Sequence, residues 1–381
     1  MKTIQLLSVT MLAVLLMGCS KMTDVENTIP TVMTGDVVSV TPYTATIAVE
    51  GTDYQYYYLE LSTSSSFSDG SSTKITEFNT EEWKATGLLS GTTYYYRQCA
   101  TDGLTVVTGP TRQFDTPPLV GIASIMMAPW NEPTAKDPVA SSEIGLFFSS
   151  VDDGTDYPGL ANFQSSYNTA TGKWSMPIEI TPPDDPHKFY GYAPYSRTAN
   201  NKQAIPVDLL KANTDYLCGE SGNVTYTDCN ASIVMHHALA RVVFDVKKDK
   251  ENNVDVTVSG YSLQGNAAQA TLPVTGTLDL TMGTIKPTQL AGTISRSIAS
   301  TLLKEEATEM DFYVIPCEFE TGVLTFALGS DTFSSSLPAV EWKAGYQYRY
   351  PVTVKRNKLL VGDVEITPWT ERTGGNIVIN N

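Results

Sequence analysis

Histidine, cysteine and charge are all scarce in this chain: its 381 residues include 3 His and 5 Cys, and Asp, Glu, Lys and Arg together make only 17%. Metal knuckles and nucleophile–base pairs have little to be built from. No C-x-x-C occurs, which excludes zinc-knuckle and thioredoxin-type redox motifs. G-x-S-x-G, H-E-x-x-H, the P-loop and G-x-G-x-x-G are missing as well, so the usual signatures of hydrolase, metalloprotease and nucleotide chemistry are absent. Glu305 and Glu306 are sequence neighbours whose side chains diverge, unlike the converging carboxylates of a glycosidase. No enzyme activity and no cofactor are expected. Basic residues are also in deficit, since 25 Lys and Arg against 41 Asp and Glu leave a net charge of −16, which repels a phosphate backbone. Nucleic acid is not an expected partner.

What the chain does have is 41% hydrophobic residues, with 20 Tyr set among Thr, Ser and Val, a composition suited to pleated sheets around a buried core. The length allows two or three domains. Before them, Met1-Lys2 leads into an apolar run from Ile4 to Met17 that ends at Gly18-Cys19. The run is shorter than the ~20 residues of a membrane span and has the build of an export signal. Leu16-Met17-Gly18-Cys19 resembles the bacterial lipobox, which implies cleavage before Cys19 and acylation of its thiol. Several acyl chains would anchor the protein stably to a membrane.

From residue 31, short strand patterns alternate with turns. Thr44 to Val49, Tyr54 to Leu61 and Thr93 to Ala100 read as strands, and Ser90-Gly91-Thr92 and Asp102-Gly103 as turns. Leu88-Leu89-Ser90-Gly91-Thr92-Thr93-Tyr94 resembles the L-x-P-G-T-x-Y segment of fibronectin type III domains, which implies that Tyr94 occupies the tyrosine corner. That family's second-strand Trp is replaced by Ile47. Pro117-Pro118 cannot extend a ladder and marks a boundary near residue 118. Further strand patterns follow to Val361 to Ile366, and only Val207 to Leu210 suggests a short helix.

Cys218 and Cys229 flank the turn-rich Gly219-Glu220-Ser221-Gly222-Asn223, and export permits either a disulfide or two separate buried thiols. Cys99 and Cys317 read as small core residues. Adjacent His236 and His237 point to opposite faces of a strand and cannot chelate one ion together. Asp152, Asp153 and Asp156 lack the spacing of a Ca²⁺ loop and read as a solvated turn. Trp342, Tyr346, Tyr348 and Tyr350 have the spacing of a strand's core-facing aromatics.

Ordered motifs carry a second resemblance. Tyr167-Asn168 with Trp174, Phe189-Tyr190-Gly191-Tyr192-Ala193-Pro194-Tyr195, His237-Ala238-Leu239-Ala240-Arg241-Val242, Trp342 through Tyr350, and the closing Ile366-Thr367-Pro368-Trp369 are similar to the bacterial fimbrillin family. The expected fold is therefore all-β, as tandem β-sandwiches. A signal peptide (1–18) and lipidated tether (19–30) precede a fibronectin III-like domain (31–118) and two transthyretin-like fimbrillin domains (119–232 and 233–381).

The resemblance implies a cell-surface lipoprotein that contributes to adhesion in outer-membrane fimbriae. Its partners would be other fimbrillin subunits, joined when a strand from one fills an open sheet edge of the next. Ile377, Val378 and Ile379, after the flexible Gly374-Gly375, form a candidate donor strand, or else a last strand paired in its own sheet. In the family the groove opens when a protease cuts after a basic residue beyond the first strand; Lys136 lies where that loop would be. Cutting there would discard the lipid and the whole first domain, so an uncut anchor or accessory subunit is expected rather than a stalk subunit. The alternative is a lipid-anchored glycan-binding protein of an uptake system, with Tyr54, Tyr56, Trp83 and Trp130 as candidate sugar platforms. No particular host or glycan ligand is indicated.

Overall fold

Along Thr44–Ala48 the buried Ala45 and Ile47 alternate with half-exposed residues, the period-two pattern of a strand with one face in a core. That pattern recurs through the computed structural model, which describes residues 31–369 except 52–55, 69, 71, 77–80, 129–136, 139–143, 266–271, 291 and 357. All regular structure among the described residues is strand. The chain divides into two compact units, one running to Leu88 and including Thr93–Asp115, the other made of Leu89–Thr92 and everything from Thr116.

The first unit contains β1 (Val37–Val40), β2 (Thr44–Ala48), β3 (Tyr56–Ser62), β4 (Ser72–Ile75), β5 (Glu82–Thr86), β6 (Thr93–Thr101), β7 (Val106–Thr108) and β8 (Arg112–Asp115). One sheet runs β1-β2-β5 and the other β4-β3-β6, with β7 and β8 both on β6. This is the two-sheet sandwich that the fibronectin resemblance implies. Its core tryptophan comes from another strand than in that family: Trp83 on β5 is fully buried opposite Ile47 of β2. Tyr94 stacks on Phe114, and the Tyr96 hydroxyl donates to the Gly35 carbonyl at 3.2 Å.

The second unit opens with β9 (Gly121–Met127), β10 (Asp137–Pro138), β11 (Ile144–Ser150), β12 (Phe163–Ser165), the small hairpin β13 (Tyr167–Asn168) and β14 (Lys173–Trp174), and β15 (His187–Ala193). Next come β16 (Ile205–Asp208), β17 (Leu217–Ser221) and β18 (Asn230–His237). Seven of these form one sheet in the order β10-β9-β18-β17-β15-β11-β12. Gly145 and Gly219 allow close packing inside it: a Cβ at the first would overlap the Tyr192 ring, and at the second the Val234 carbonyl. Ile125, Ile233, Phe148 and Phe189 fill the core on one face.

The remainder comprises β19 (Ala240–Lys248), β20 (Thr257–Gly265), β21 (Thr275–Asp279), β22 (Thr284–Gln289), β23 (Thr293–Leu302), β24 (Thr308–Val314) and β25 (Cys317–Phe319). It continues with β26 (Gly322–Leu328), β27 (Asp331–Leu337), β28 (Val340–Trp342), β29 (Tyr346–Val354), β30 (Leu359–Val361) and β31 (Glu365–Pro368). One sheet runs β24-β19-β29, with β30 and β31 both on β29, and the other runs β23-β20-β26-β27. Phe244, Phe312, Phe326, Tyr348 and Tyr350 belong to the buried cluster of this part.

Two expectations are corrected here. The proposed boundary at 232/233 falls inside β18, which lies wholly in the seven-stranded sheet. The expected helix at Val207–Leu210 is instead covered by strand β16 through Asp208: Ile205 and Val207 are buried on either side of exposed Pro206, and the strand pairs with β21. Its ladder partner comes from far along the chain, a tertiary pairing that local propensity does not reveal. Proline is tolerated because β16 is an edge strand.

Candidate functional site: a strand slot and a guarded sheet edge

Strand β9 lies parallel to β18, from Gly121 opposite Asn230 to Met127 opposite Met235, next to the short edge strand β10. Ile122, Ile125 and Met127 are buried in the core, the three-residue step from Ile122 to Ile125 being absorbed by a register shift opposite Ala231/Ser232, and Ile125 is 1% exposed. Burial of such side chains is worth about 1.5–3 kcal/mol each. The far end is pinned by the Ala128 amide, which donates to the Met235 carbonyl at 2.9 Å, and by His236 Nδ1, which donates to the Ala128 carbonyl at 2.6 Å. On its outer side β9 is paired, among the described residues, through Met126 and Met127 to β10. Withdrawing β9 would leave the β18 ladder unpaired beside a slot lined by Ala231, Ile233 and Met235, a geometry suited to an added strand.

The sheet edge at β24 is built from polar groups. On its outer face Arg241, with only 3% of its side chain exposed, binds Asp311 at 2.9 Å, Glu309 at 2.5 Å and Gln347 at 2.7 Å. Arg349 adds Asp245 at 2.6 Å and Glu309 at 2.8 Å. Burial alone would raise the Glu309 carboxyl, but the Arg349 hydrogen bond and the two guanidinium charges outweigh it and hold it below the ordinary 4.5. Nearby, His237 lies 2.8 Å from Asp215 through Nδ1 and stacks on Trp369 with ring centres 3.5 Å apart. Two separate motifs of the sequence thus meet in space.

Cys19, Lys136, Ile377, Val378, Ile379, Tyr54 and Trp130 lie outside the described residues. The disulfide alternative is corrected: Cys218 and Cys229 are both free thiols. Cys218 stands opposite His236, and Cys229 precedes β18 at its far end. At ~3.3 Å per residue that separation is roughly 20 Å, beyond the ~7 Å a bridge spans between Cα atoms. Trp83 is corrected as a sugar platform, because it is fully buried with its indole N–H donating to Gln98 at 3.3 Å. Tyr56 is 61% exposed.

Trp342, Tyr348 and Tyr350 are core residues, while Tyr346 is partly buried. Asp153 accepts from the Thr155 amide, and Asp156 from Ser149 and Lys202, so these acids serve their own loop and its neighbours. No cluster of three or more His, Cys, Asp or Glu with metal-site geometry occurs among the described residues. Sequence reasoning missed Asn213 and the partners of Arg241, which come together from separate loops and strands and carry no local signature.

A protein-family comparison matches residues 136–369 to the fimbrillin-like family. No curated protein matches the chain. Among solved structures, a cell adhesion protein described as putative from Bacteroides ovatus shares 15% identity, with 68% of this chain and 100% of that one covered and a TM-score of 0.53. A fimbrial protein from Bacteroides vulgatus shares 14% identity over 66% of this chain and 100% of its own, at a TM-score of 0.45. The first of these similarities supports the fold. The family match spans more than half of the sequence, and the chain belongs to the fimbrillin-like family.

Proposed function

We propose that this chain is a lipid-anchored accessory or anchor subunit of a fimbrium, held at the outer membrane through Cys19 and joined to neighbouring subunits by strand donation. The observation that carries the reading is the position of β9: a strand with a buried apolar face, second from the sheet edge, directly ahead of the segment containing Lys136. Its removal would open an acceptor slot, but a cut at Lys136 would also release the first unit and the lipid. The uncut chain keeps β9 in its own slot and therefore offers no acceptor there, while its tail, with Ile377, Val378 and Ile379, would act as the donor to a neighbour. Such a subunit ends a fibre.

A glycan-binding role draws less support, since burial of Trp83 removes one of its platforms. The test is deletion of Ile377–Asn381 in cells. Loss of the protein from purified fimbriae, with the monomer still folded, supports donation; unchanged incorporation contradicts it. Cys19→Ser should move the protein out of the detergent phase on partitioning, and unchanged partitioning would remove the lipid from the account.

A further inference from the structure

Strand β24 runs seven residues, Thr308–Val314, and takes its ladder partner, β19, on one side. An edge of this length, with alternate backbone groups turned away from the sheet, is a template for any extended chain. Short strands close the seven-stranded sheet, β10 with two residues and β12 with three, and the long edge strand β23 is interrupted by a register shift opposite Val258/Gly260. These are common ways to blunt an edge. On β24 the ladder to β19 is regular throughout.

A side chain occupies that edge instead. Asn213, in the loop between β16 and β17, accepts from the Tyr313 amide at 3.0 Å through Oδ1. Its Nδ2 donates to the Asp311 carbonyl at 3.4 Å and to Asp311 Oδ1 at 3.0 Å. One side-chain amide thus takes the acceptor and donor places that the C=O and N–H of one residue of an incoming parallel strand would take between residues 311 and 313. Two further groups hold it there: Arg296 Nη2 donates to Asn213 Oδ1 at 2.9 Å, and the Tyr261 hydroxyl donates to the Asp311 carbonyl at 3.0 Å. Both reach across from the opposite sheet, so the seal is built from three separate segments.

We propose that Asn213 is a strand mimic that closes β24 against a donor strand from a second copy of this chain, so that this edge does not serve as an acceptor. The proposal rests on the strand-donation reading only for the identity of the incoming strand. Hydrogen exchange at Tyr313 tests the guard alone, and capture of a synthetic peptide of residues 374–381 tests the occupant.

In the purified full chain, Asn213→Ala should speed exchange of the Tyr313 amide roughly tenfold, the loss of about one hydrogen bond. Added peptide should restore the protection in this variant, and the parent should not bind it. Asn213→Ser, too short to span both backbone groups, should behave as the alanine variant does if alanine loosens the loop. Unchanged Tyr313 exchange in the alanine and serine variants overturns the guard. Faster exchange without peptide capture in variants of native circular dichroism overturns the donor strand as its target.

Discussion

At β9 the seven-stranded sheet is completed by apolar side chains sunk into a core, whereas at β24 the neighbouring sheet ends against one amide and a face of paired charges. An apolar strand seals a slot through non-directional burial, which any strand of similar pattern can supply. Guarding by Asn213 and the Arg241 cluster depends on fixed donor and acceptor positions, which a different segment would not reproduce. On the strand-donation proposal the first closure is exchangeable and the second is not. Gln98 in the first unit uses the same device, since its side-chain amide donates to the Glu50 carbonyl at 2.6 Å and accepts from the Glu50 amide at 3.2 Å.

The contrast breaks most severely if charge is placed in the slot. Ile125→Asp should cost about 4–5 kcal/mol, an unpaired carboxylate in an apolar core, seen as early loss of the first sheet in urea unfolding. Arg241→Met, at the other edge, should cost about 2–4 kcal/mol, because Asp311 loses its cationic partner and keeps the neutral Asn213 amide, while half-exposed Glu309 keeps Arg349 and water. If the two variants unfold at the same denaturant concentration, the closures are not different in kind.

Acid sharpens the comparison. The folded-state pKa of Glu309 is depressed, so its stabilising contribution is full above 4.5 and is lost as pH falls through the lower folded value. Unfolding followed at falling pH should therefore weaken the charged edge first, and Arg241→Met should flatten that dependence. A slope unchanged by the substitution would contradict the assignment.

The smallest effect concerns thiols. Burial pushes Cys99 up to about 11 and Cys218 and Cys317 up to about 12, so these remain protonated and inert at neutral pH. Of the four described cysteines, partly exposed Cys229 should be the one alkylated by iodoacetamide in the native chain, with mass spectrometry locating the adduct. A mass two hydrogens lighter, or a Cys218–Cys229 peptide, would restore the bridge.

The alternating strands were legible because period-two burial is written locally, as in Thr44–Ala48 and Tyr346–Val354. The spaced motifs located the family for the same reason. Pairing across long separations was not legible: Ile205–Asp208 looked helical until its partner on β21 was known, and Trp83 looked available until the opposing Ile47 was placed. Asn213 is the extreme case, because an asparagine in a Lys-Ala-Asn-Thr loop signals a turn, and the strand it covers begins more than ninety residues later.

The central claim is that β9 stays in its own slot in the mature subunit. Whole-cell immunoblots with one antibody to the first unit and one to the region after β19 test it directly. The expected result is a single full-length species carrying both epitopes, with no ladder in unboiled samples of this protein alone. A dominant species lacking the first epitope and running as a ladder would show that β9 is released and that the chain is a stalk subunit.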